Sequence, residues 1–425
     1  LSELIPAGGG QNNTDFVADG AITSGKPVIL NSAGTVTQVA AVAAGGGTPA
    51  LFETGNPSSI AAAFDSSAGK VVIGYNVLTT SGTAIVGTVS GTSISFGTPV
   101  VFEAANTDNI AATFDTNNNA VVFAYRDRGN SNYGTSIVGT VSGTSISFTA
   151  PVVFESAATD QISATFDINS KRVVLAYRDG GNSNYGTAIA ASISGIPTFG
   201  TAVVFEAANT MQTSCSFDSA SNKIVIAYQD AGNSDYGTAI VGNITSSTVL
   251  TFGTAVVFES AGAGAISSTF DTVANKIVIS YQDQGNSYYG TAIVGTVSGT
   301  AISFGTAVVF ETANTGYTSA VFDTASGKVT ISYQDNGNTG DATVSVGTVS
   351  GTAISFDAAV VVSTGNVFYL NSVYDSTNNK VVIAYGDNAA SDDGYAVVFA
   401  AGSSNMTATN LLGIASAAIL DTATG

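Results

Sequence analysis

The sequence predicts an all-β chain whose larger part is a seven-bladed β-propeller. Three observations predict this fold: the composition favours short strands, an aromatic-acidic pair recurs at a nearly constant interval, and each interval contains four strand signals. The chain has 425 residues, of which 44% are hydrophobic and 48 are glycines. Such a chain can supply many apolar strands joined by tight turns.

Three sequence markers recur in phase, with a spacing of 50 to 53 residues. The first is an aromatic residue followed by aspartate: Phe64-Asp65, Phe114-Asp115, Phe166-Asp167, Phe217-Asp218, Phe270-Asp271, Phe322-Asp323 and Tyr374-Asp375. The second is a tyrosine: Tyr75, Tyr125, Tyr177, Tyr228, Tyr281, Tyr333 and Tyr385. The third is a Phe-Glu pair: Phe52-Glu53, Phe102-Glu103, Phe154-Glu155, Phe205-Glu206, Phe258-Glu259 and Phe310-Glu311. A repeat of this length indicates propeller blades.

One repeat shows how four strands fit the interval. The strand signals of the second repeat are residues 110–115, 120–127, 135–141 and 145–155. Turn residues separate them, because Asp and Asn can bond the local backbone and Gly accepts positive φ. Since one blade cannot bury both of its faces, neighbouring blades are expected to stack around an axis.

The strand count predicts how the ring closes. After the seventh third strand, residues 395–401, the pattern stops, and the missing fourth strand lies upstream at residues 49–53. We therefore expect the N-terminal strand to complete the last blade, with the propeller spanning residues 48–401. Residues 1–47 and 402–425 are expected to form a small discontinuous β-rich attachment module.

The two ends of the chain resemble a known type of protein. The segments SGKPVILNSAGTVTQVA (24–40) and NLLGIASAAILDTATG (410–425) resemble a module of virion structural proteins in tailed phages of marine bacteria, including cyanophage-like tail fibres and capsid appendages. The resemblance implies a homo-oligomeric structural protein located in the virion, an extracellular particle. Its terminal module would contact other virion proteins, and its propeller would recognise a host-surface glycan or protein or decorate the particle.

Charge and composition exclude several functions. The formal net charge is −19, which disfavours nucleic acids and anionic membranes as partners. The chain has no histidine, so Ser-His-Asp triads and the usual zinc sites are not expected. We expect no cofactor, no metal and no membrane insertion. The lone cysteine, Cys215, cannot form an intrachain disulfide and is expected to be a small buried side chain.

The loop between the second and third strands is the best candidate surface. It reads Asp-x-Gly-Asn-Ser-x-Tyr-Gly at residues 127–134, 179–186, 230–237 and 283–290. Three hypotheses remain open for this loop. Its residues could hold the loop backbone in shape, bind a glycan or another receptor, or supply oxygen ligands to calcium.

Candidate ligand contacts come from this loop and from the residue between the repeat tyrosine and the loop aspartate, which varies between repeats. Planar amide and guanidinium groups there suit sugar hydroxyls or carboxylates. The candidates are Arg126, Asn130, Asn132, Tyr133, Arg178, Asn182, Asn184, Tyr185, Gln229, Asp235, Tyr236, Gln282, Tyr288, Tyr289 and Gln334.

The repeated acids are interpreted differently. The aspartates of the aromatic-Asp pairs are expected to cap turns. A carboxylate pair among the Phe-Glu glutamates could hydrolyse glycosides, but six copies indicate architecture. The sequence therefore favours a non-enzymatic function. A glycan-active propeller enzyme and an architectural spacer without a ligand are the alternatives.

Overall fold

The computed structural model of the chain describes residues 17–22, 27–31, 33–38, 41–77, 80–246, 248–404 and 411–414. The chain divides into two compact units, one of residues up to 44 together with those from 402 onward, and one of residues 45–401. In the described ranges, no helix has both the length and the apolar character needed to cross a membrane.

Strands dominate both units, and the described residues form 36 of them. Strands β1 to β5 are Pro27–Leu30, Val36–Gln38, Ala41–Val42, Gly45–Gly46 and Ala50–Glu53. Strands β6 to β10 are Pro57–Asp65, Lys70–Val77, Ser81–Ser90, Ser93–Phe96 and Val100–Glu103. Strands β11 to β15 are Thr107–Asp115, Ala120–Asp127, Tyr133–Ser142, Ser145–Phe148 and Val152–Asp167. Strands β16 to β19 are Arg172–Asp179, Tyr185–Ser194, Ile196–Phe199 and Val203–Asp218.

The remaining strands continue the same order. Strands β20 to β23 are Lys223–Asp230, Tyr236–Ser246, Val249–Phe252 and Val256–Asp271. Strands β24 to β27 are Lys276–Asp283, Tyr289–Ser298, Ala301–Phe304 and Val308–Asp323. Strands β28 to β32 are Lys328–Asp335, Asp341–Ser350, Ala353–Phe356, Val360–Ser363 and Val367–Asp375. Strands β33 to β36 are Lys380–Asp387, Asp393–Ala400, Ser403–Ser404 and Leu411–Ile414. Five short 3-10 helices follow second strands, at Arg128–Asn130, Ala231–Asn233, Gln284–Asn286, Asn336–Asn338 and Asn388–Ala390.

The smaller unit combines segments from both ends of the chain. Strand β1 pairs with β2 and with β36, and β3 pairs with β35, all antiparallel. Ile22, Val28 and Val36 form its buried apolar cluster. Of the two segments that resemble phage modules, residues 24–26, 32, 39–40, 410 and 415–425 lie outside the described residues.

Each sheet of the larger unit has the same antiparallel order. The first strand pairs with the second, the second with the third, and the third with the fourth-strand segments, which form the outer edge of the sheet. We number these sheets by their first strands: sheets 1 to 7 begin at residues 57, 107, 159, 210, 263, 315 and 367. Each 16-residue strand, such as β15, ends one sheet and begins the next. In sheet 7 the outer edge is β5 together with β4, both paired with β34. The strand that completes the last repeat thus comes from the N-terminal side, as the strand count predicts.

The fourth strand differs in one detail from the sequence prediction. Residues 145–155 were expected as a continuous strand, but they form β14 and the start of β15, separated by residues 149–151. Both pieces pair with β13, and the Thr149 amide donates to the Val138 carbonyl between them. Pro151 lies in the interruption, where the absence of an amide hydrogen is tolerated.

Hydrogen bonds from a backbone amide to a side chain join each first strand to the next. The amide donors and their acceptors are Asn109 to Ser59, Gln161 to Asn109, Cys215 to Ser163, Ser268 to Ser214, Ala320 to Ser267, Ser372 to Ser319, and Ala62 to Asn371. The last of these bonds links sheet 7 to sheet 1. Cys215 is buried among these strands, and burial raises the pKa of its thiol, as expected for an inert packing residue.

The core lies between neighbouring sheets and contains the repeat tyrosines, all seven fully buried. The hydroxyl groups of six of them donate to the glutamates of the Phe-Glu pairs, at 2.9 to 3.3 Å: Tyr75 to Glu53, Tyr125 to Glu103, Tyr177 to Glu155, Tyr228 to Glu206, Tyr281 to Glu259, and Tyr333 to Glu311. Each bond joins the outer edge of one sheet to the second strand of the next. The glutamates are therefore structural, and burial raises the pKa of Glu155, Glu206 and Glu259 above the ordinary range.

The aspartates of the aromatic-Asp pairs cap the turns between first and second strands, as predicted. Asp115 shows the pattern, since its Oδ1 accepts from the amides of Asn117 at 2.8 Å and Asn118 at 3.1 Å. These turns define one end of the larger unit, called here the turn side. The loops between second and third strands define the opposite end, called the loop side.

Candidate functional site

The loops of the loop side have a fixed backbone shape. In the second sheet, Oδ1 of Asp127 accepts from the amides of Gly129 at 2.9 Å and Asn130 at 3.1 Å, and so caps the short 3-10 helix. The next two residues, Ser131 and Asn132, are left-handed, with φ of 58° and 64°. Asp179 repeats the cap with Gly181 and Asn182. The loop aspartates therefore serve the backbone, which is the structural hypothesis for these residues.

The predicted loop contacts occupy three positions. Asn130 and Asn182 are exposed at the ends of the capped turns. The loop tyrosines begin the third strands and are half-buried: Tyr133, Tyr185, Tyr236 and Tyr289. The residues before them are left-handed, and their carbonyls accept from the first amide of the next sheet: Asn132 from Thr159, Asn184 from Thr210, Asp235 from Ala263, and Tyr288 from Thr315. The backbone carbonyls of these residues therefore bond the next sheet, while the side chains of Asn184, Asp235 and Tyr288 are exposed.

The variable residue of each second strand stands between the repeat tyrosine and the loop aspartate. It lies opposite the second residue of the first strand. In sheets 2 and 3 this gives ion pairs. Arg126 bonds Asp108 through Nε and Nη2, and Arg178 bonds Asp160 through the same atoms. Arg128 also contacts Asp108. Burial alone would raise the pKa of Asp108, but its bonds to the two arginines outweigh that effect and hold the pKa below the usual value. Arg126 and Arg178 are therefore already paired within the chain.

In sheets 1, 5 and 6 the variable residue is an amide that bonds the asparagine directly before the first strand residue of the next sheet. Asn76 donates to Asn106, Gln282 to Asn314, and Gln334 to Asn366, each at 2.9 Å. Gln282 and Gln334 also donate to the carbonyls of Thr315 and Val367. These side chains hold neighbouring sheets together.

Gln229, in sheet 4, departs from this pattern. The position that carries Asn314 or Asn366 in later sheets is Gly262 here, and the residue opposite Gln229 is Met211. Gln229 is only 6% exposed, and no hydrogen bond like those of Gln282 and Gln334 joins its amide group to another described residue.

A cavity opens at this point, and we call it the mouth cavity. Its volume is about 650 Å³, and the first strands of sheets 4, 5 and 6 converge on it. Of the predicted contacts it brings together Gln229, Asp235 and Gln282. The other twelve candidates do not line it: Arg126, Asn130, Asn132, Tyr133, Arg178, Asn182, Asn184, Tyr185, Tyr236, Tyr288, Tyr289 and Gln334.

Several lining residues were missed by the sequence reasoning. They are Met211, Gln212, Gln284 and Tyr317. Tyr317 belongs to a left-handed position at the bulge of each first strand, and its counterparts differ between sheets: Ser59, Asn109, Gln161, Gln212, Ala265 and Tyr369. This variation between repeats is a signal that a closer alignment of the sequence repeats could have found.

Aromatic side chains continue the surface beside the mouth cavity. The rings of Tyr317 and Tyr369 lie 5.7 Å apart between centroids, and each residue is 40% exposed. Phe368 packs against Tyr369 at 5.5 Å. The opposite residue in sheet 7 is Gly386, and a Cβ there would lie 2.3 Å from the Phe368 ring. The glycine therefore leaves room for this ring.

Charge is distributed unevenly between the two ends of the larger unit. The turn side carries the lysines beside the capping aspartates, at Lys70, Lys171, Lys223, Lys276, Lys328 and Lys380. The loop side carries the six structural glutamates and most other aspartates. Its cations in the described ranges are Arg126, Arg128 and Arg178, and each is paired with Asp108 or Asp160. The loop side is therefore strongly negative.

Comparisons with known proteins show similarity at the level of the fold. No family model and no curated protein matches the sequence. Among solved structures, the BP39L lectin from Burkholderia pseudomallei matches with a TM-score of 0.62 at 12% identity, over 85% of this chain and 99% of the lectin. The SapL1 lectin, solved in complex with alpha methyl fucoside, matches at a TM-score of 0.41 and 14% identity, over 72% of this chain and 97% of that one. Sqt1 from Chaetomium thermophilum matches with a TM-score of 0.47 at 10% identity, over 80% of this chain and 85% of Sqt1. The chain is therefore an all-β protein with the β-propeller fold, similar in overall structure to the BP39L lectin.

Proposed function

We propose that this chain is a non-enzymatic carbohydrate-binding β-propeller that recognises a glycan on its loop side. The observation that carries the proposal is the mouth cavity with its aromatic margin. Sugars are bound by side chains that exchange hydrogen bonds with hydroxyl groups and by aromatic rings that cover their apolar faces. Gln229, Asp235 and Tyr317 offer these groups together. The similarity to a lectin fold agrees with this function but does not assign it.

The arrangement of the acids favours binding over hydrolysis. A glycosidase needs two carboxyl groups placed on either side of a glycosidic bond. Here the repeated glutamates accept bonds from buried tyrosines, and the loop aspartates accept bonds from backbone amides. These acids are engaged in holding sheets and loops. The enzyme alternative would instead require turnover of a polysaccharide.

We also propose that the larger unit is a closed ring of seven sheets. Three contacts support this proposal. Strand β5, from the N-terminal side, pairs with β34 and completes sheet 7. The Tyr75–Glu53 and Ala62–Asn371 hydrogen bonds then join sheet 7 to sheet 1. The pairing with β5 leaves no long unpaired edge on the third strand of sheet 7, β34. An experimental density map with another number of sheets would contradict this proposal.

A glycan array probed with the labelled full-length chain tests the carbohydrate proposal. We expect concentration-dependent binding to a limited set of glycans, with no release of sugar during prolonged incubation. The Tyr317→Ala variant serves as the control for specific binding, because it removes an exposed ring at the mouth cavity. An array without any binding above background, or steady hydrolysis of a bound glycan, would refute a carbohydrate-binding protein without enzyme activity.

The location of the protein is a separate proposal. From the resemblance of the two chain ends to virion modules, we propose that the smaller unit attaches the chain to other proteins of a phage particle, as part of a homo-oligomer, and that the propeller recognises the host surface. Immunogold labelling of purified phage particles with an antibody against residues 45–401 tests this. Regularly placed label on the particles is the expected result, and label only on cell debris would contradict it.

A further inference from the structure

We infer that the mouth cavity is a single binding site for an uncharged sugar and that the loop side rejects acidic glycans. The inference rests on the proposed carbohydrate function and specifies its ligand class and its stoichiometry. It predicts one strong site for each chain, although the loops repeat around the ring.

The first argument is the interrupted pattern at Gln229. An equivalent amide contact joins sheets at Asn76, Gln282 and Gln334, and charged pairs occupy the position in sheets 2 and 3. In sheet 4 the expected acceptor is absent because Gly262 replaces asparagine. Gln284 fills part of the space, with its Oε1 2.3 Å from where a Cβ of Gly262 would be. The amide of Gln229 therefore remains available to a ligand at the cavity wall.

The second argument is that the cavity is not repeated. Gln282 and Gln284 lie over Gly264, and a Cβ at that residue would come within 2.8 Å of Gln282 Oε1. The corresponding residues in sheets 2 and 3 are Asp108 and Asp160, which hold arginine side chains over the first strand instead. In sheets 4, 5 and 6 the residues in place of these acids are Met211, Gly264 and Gly316, and all three line the mouth cavity.

The third argument concerns size and shape. A volume of about 650 Å³ is within the usual range for small-molecule sites and is sufficient for one or two sugar rings. Ala265, Ile266 and Leu370 supply an apolar floor, and the Tyr317 ring stands beside it. One apolar face and several amide groups fit a pyranose ring, which has an apolar face and a rim of hydroxyl groups.

The fourth argument concerns charge. The ionisable residues that line the cavity are Asp235 and Tyr317, so no lining side chain can balance a negative ligand. The arginines of the loop side are engaged with Asp108 and Asp160, and the surrounding glutamates and aspartates repel anions. A carboxylate or sulfate on a sugar would lose its water shell there without gaining a partner. Uncharged sugars avoid this penalty.

Isothermal titration of the full chain with methyl glycosides tests the inference. The neutral probes are methyl glycosides of hexoses, 6-deoxyhexoses and N-acetylhexosamines, and the acidic probes are methyl glucuronide and methyl sialoside. We expect at least one neutral probe to bind with one site per chain, and the acidic probes to bind at least tenfold more weakly. Equal or tighter binding of an acidic probe, or several equivalent sites per chain, would overturn the inference.

Matched variants assign the site. Gln229→Leu and Tyr317→Ala should each weaken binding of the neutral probe at least tenfold. Gln334→Leu and Tyr288→Ala, which change equivalent residue types outside the cavity, should change it less than twofold. Thermal unfolding checks the fold of each variant, and Tyr317→Ala keeps the test valid if Gln229→Leu does not fold, because Tyr317 is already 40% exposed.

The outcomes separate the two proposals. If neutral sugars bind but only the control variants lose affinity, the cavity is not the site, and carbohydrate binding at the loops survives. If no sugar binds to the unmodified chain, the carbohydrate function itself fails.

Discussion

The interfaces between sheets and the loop-side ends of the first strands, called here the mouth, differ in how strictly they repeat. At the interfaces, a buried tyrosine meets a glutamate of the preceding sheet in six places, with the same pair of atoms. At the mouth, the residue facing the second strand is Ser58, Asp108, Asp160, Met211, Gly264, Gly316 or Phe368. The interface must be the same for every sheet to fit its neighbour, whereas the mouth can change if its opposing residue changes with it. The comparison indicates that functional residues are to be sought at the mouth, where the residue type varies between sheets without disturbing the interfaces.

The largest expected effect comes from breaking one interface. Tyr228→Ala removes a fully buried ring and its bond to Glu206, and should lower the free energy of unfolding by about 3–5 kcal/mol. Tyr288→Ala removes a ring that is 48% exposed and should cost about 0.5 kcal/mol or less. Guanidinium denaturation of both variants measures the difference. Similar losses in the two would show that the buried tyrosines do not carry the interface.

A smaller effect should follow from crowding a single interface. A Cβ at Gly74 would lie 2.4 Å from the Phe123 ring of the next sheet. Gly74→Ala should therefore cost about 1–3 kcal/mol through overpacking. Phe123→Ile, which introduces the residue found in most other sheets, should recover most of this loss in the double variant. Additive losses would mean that the two residues are not coupled.

The ion pairs at the mouth should contribute less than the interfaces. Arg178→Met leaves Asp160 with only the long contact to Arg126 at 3.5 Å, and we expect a loss of about 1–2 kcal/mol. Sugar affinity should not change, because Arg178 does not line the mouth cavity. Thermal unfolding and titration with the neutral probe measure the two quantities. A large loss of affinity with unchanged stability would place the sugar site on the arginine side instead.

The smallest effect concerns pH. Burial raises the pKa of Glu155, Glu206 and Glu259 in the folded chain, so folding favours their protonated form. Their contribution to stability is largest below the ordinary glutamate pKa and is lost as the pH rises through the raised value. Lowering the pH from 8 to 5 should therefore raise Tm by about 1–4 °C, helped by relief of the net negative charge.

Glu206→Gln provides the control for the pH effect, since it keeps the shape and removes the titrating group. It should reduce the pH dependence of Tm without abolishing it, because Glu155 and Glu259 still titrate. A Tm that falls steadily from pH 8 to 5 would contradict the assignment. The lowered pKa of Asp108 acts only at more acidic pH and does not affect this window.

Much of the framework could be predicted from the sequence because it repeats. The spacing of Tyr75 and its counterparts predicts one buried tyrosine for each sheet, and the missing fourth strand predicts the pairing of β5 with β34. The mouth could be predicted only in part. Gln229 and Asp235 vary between repeats and were recognised, but the sequence spacing does not show that Arg178 faces Asp160 across a register that shifts at a bulge. Nor does it show that Gly262 stands where Gln282 and Gln334 find an asparagine acceptor, since the two residues of that contact lie on different strands.

A crystal structure of the full chain soaked with the neutral glycoside that binds best tests the central claim most directly. The account predicts sugar density at one place in each chain, in the mouth cavity, with a hydroxyl group within hydrogen-bond distance of the Gln229 amide and the ring against Tyr317. Density in the repeated loops, or at the turn side, would contradict it.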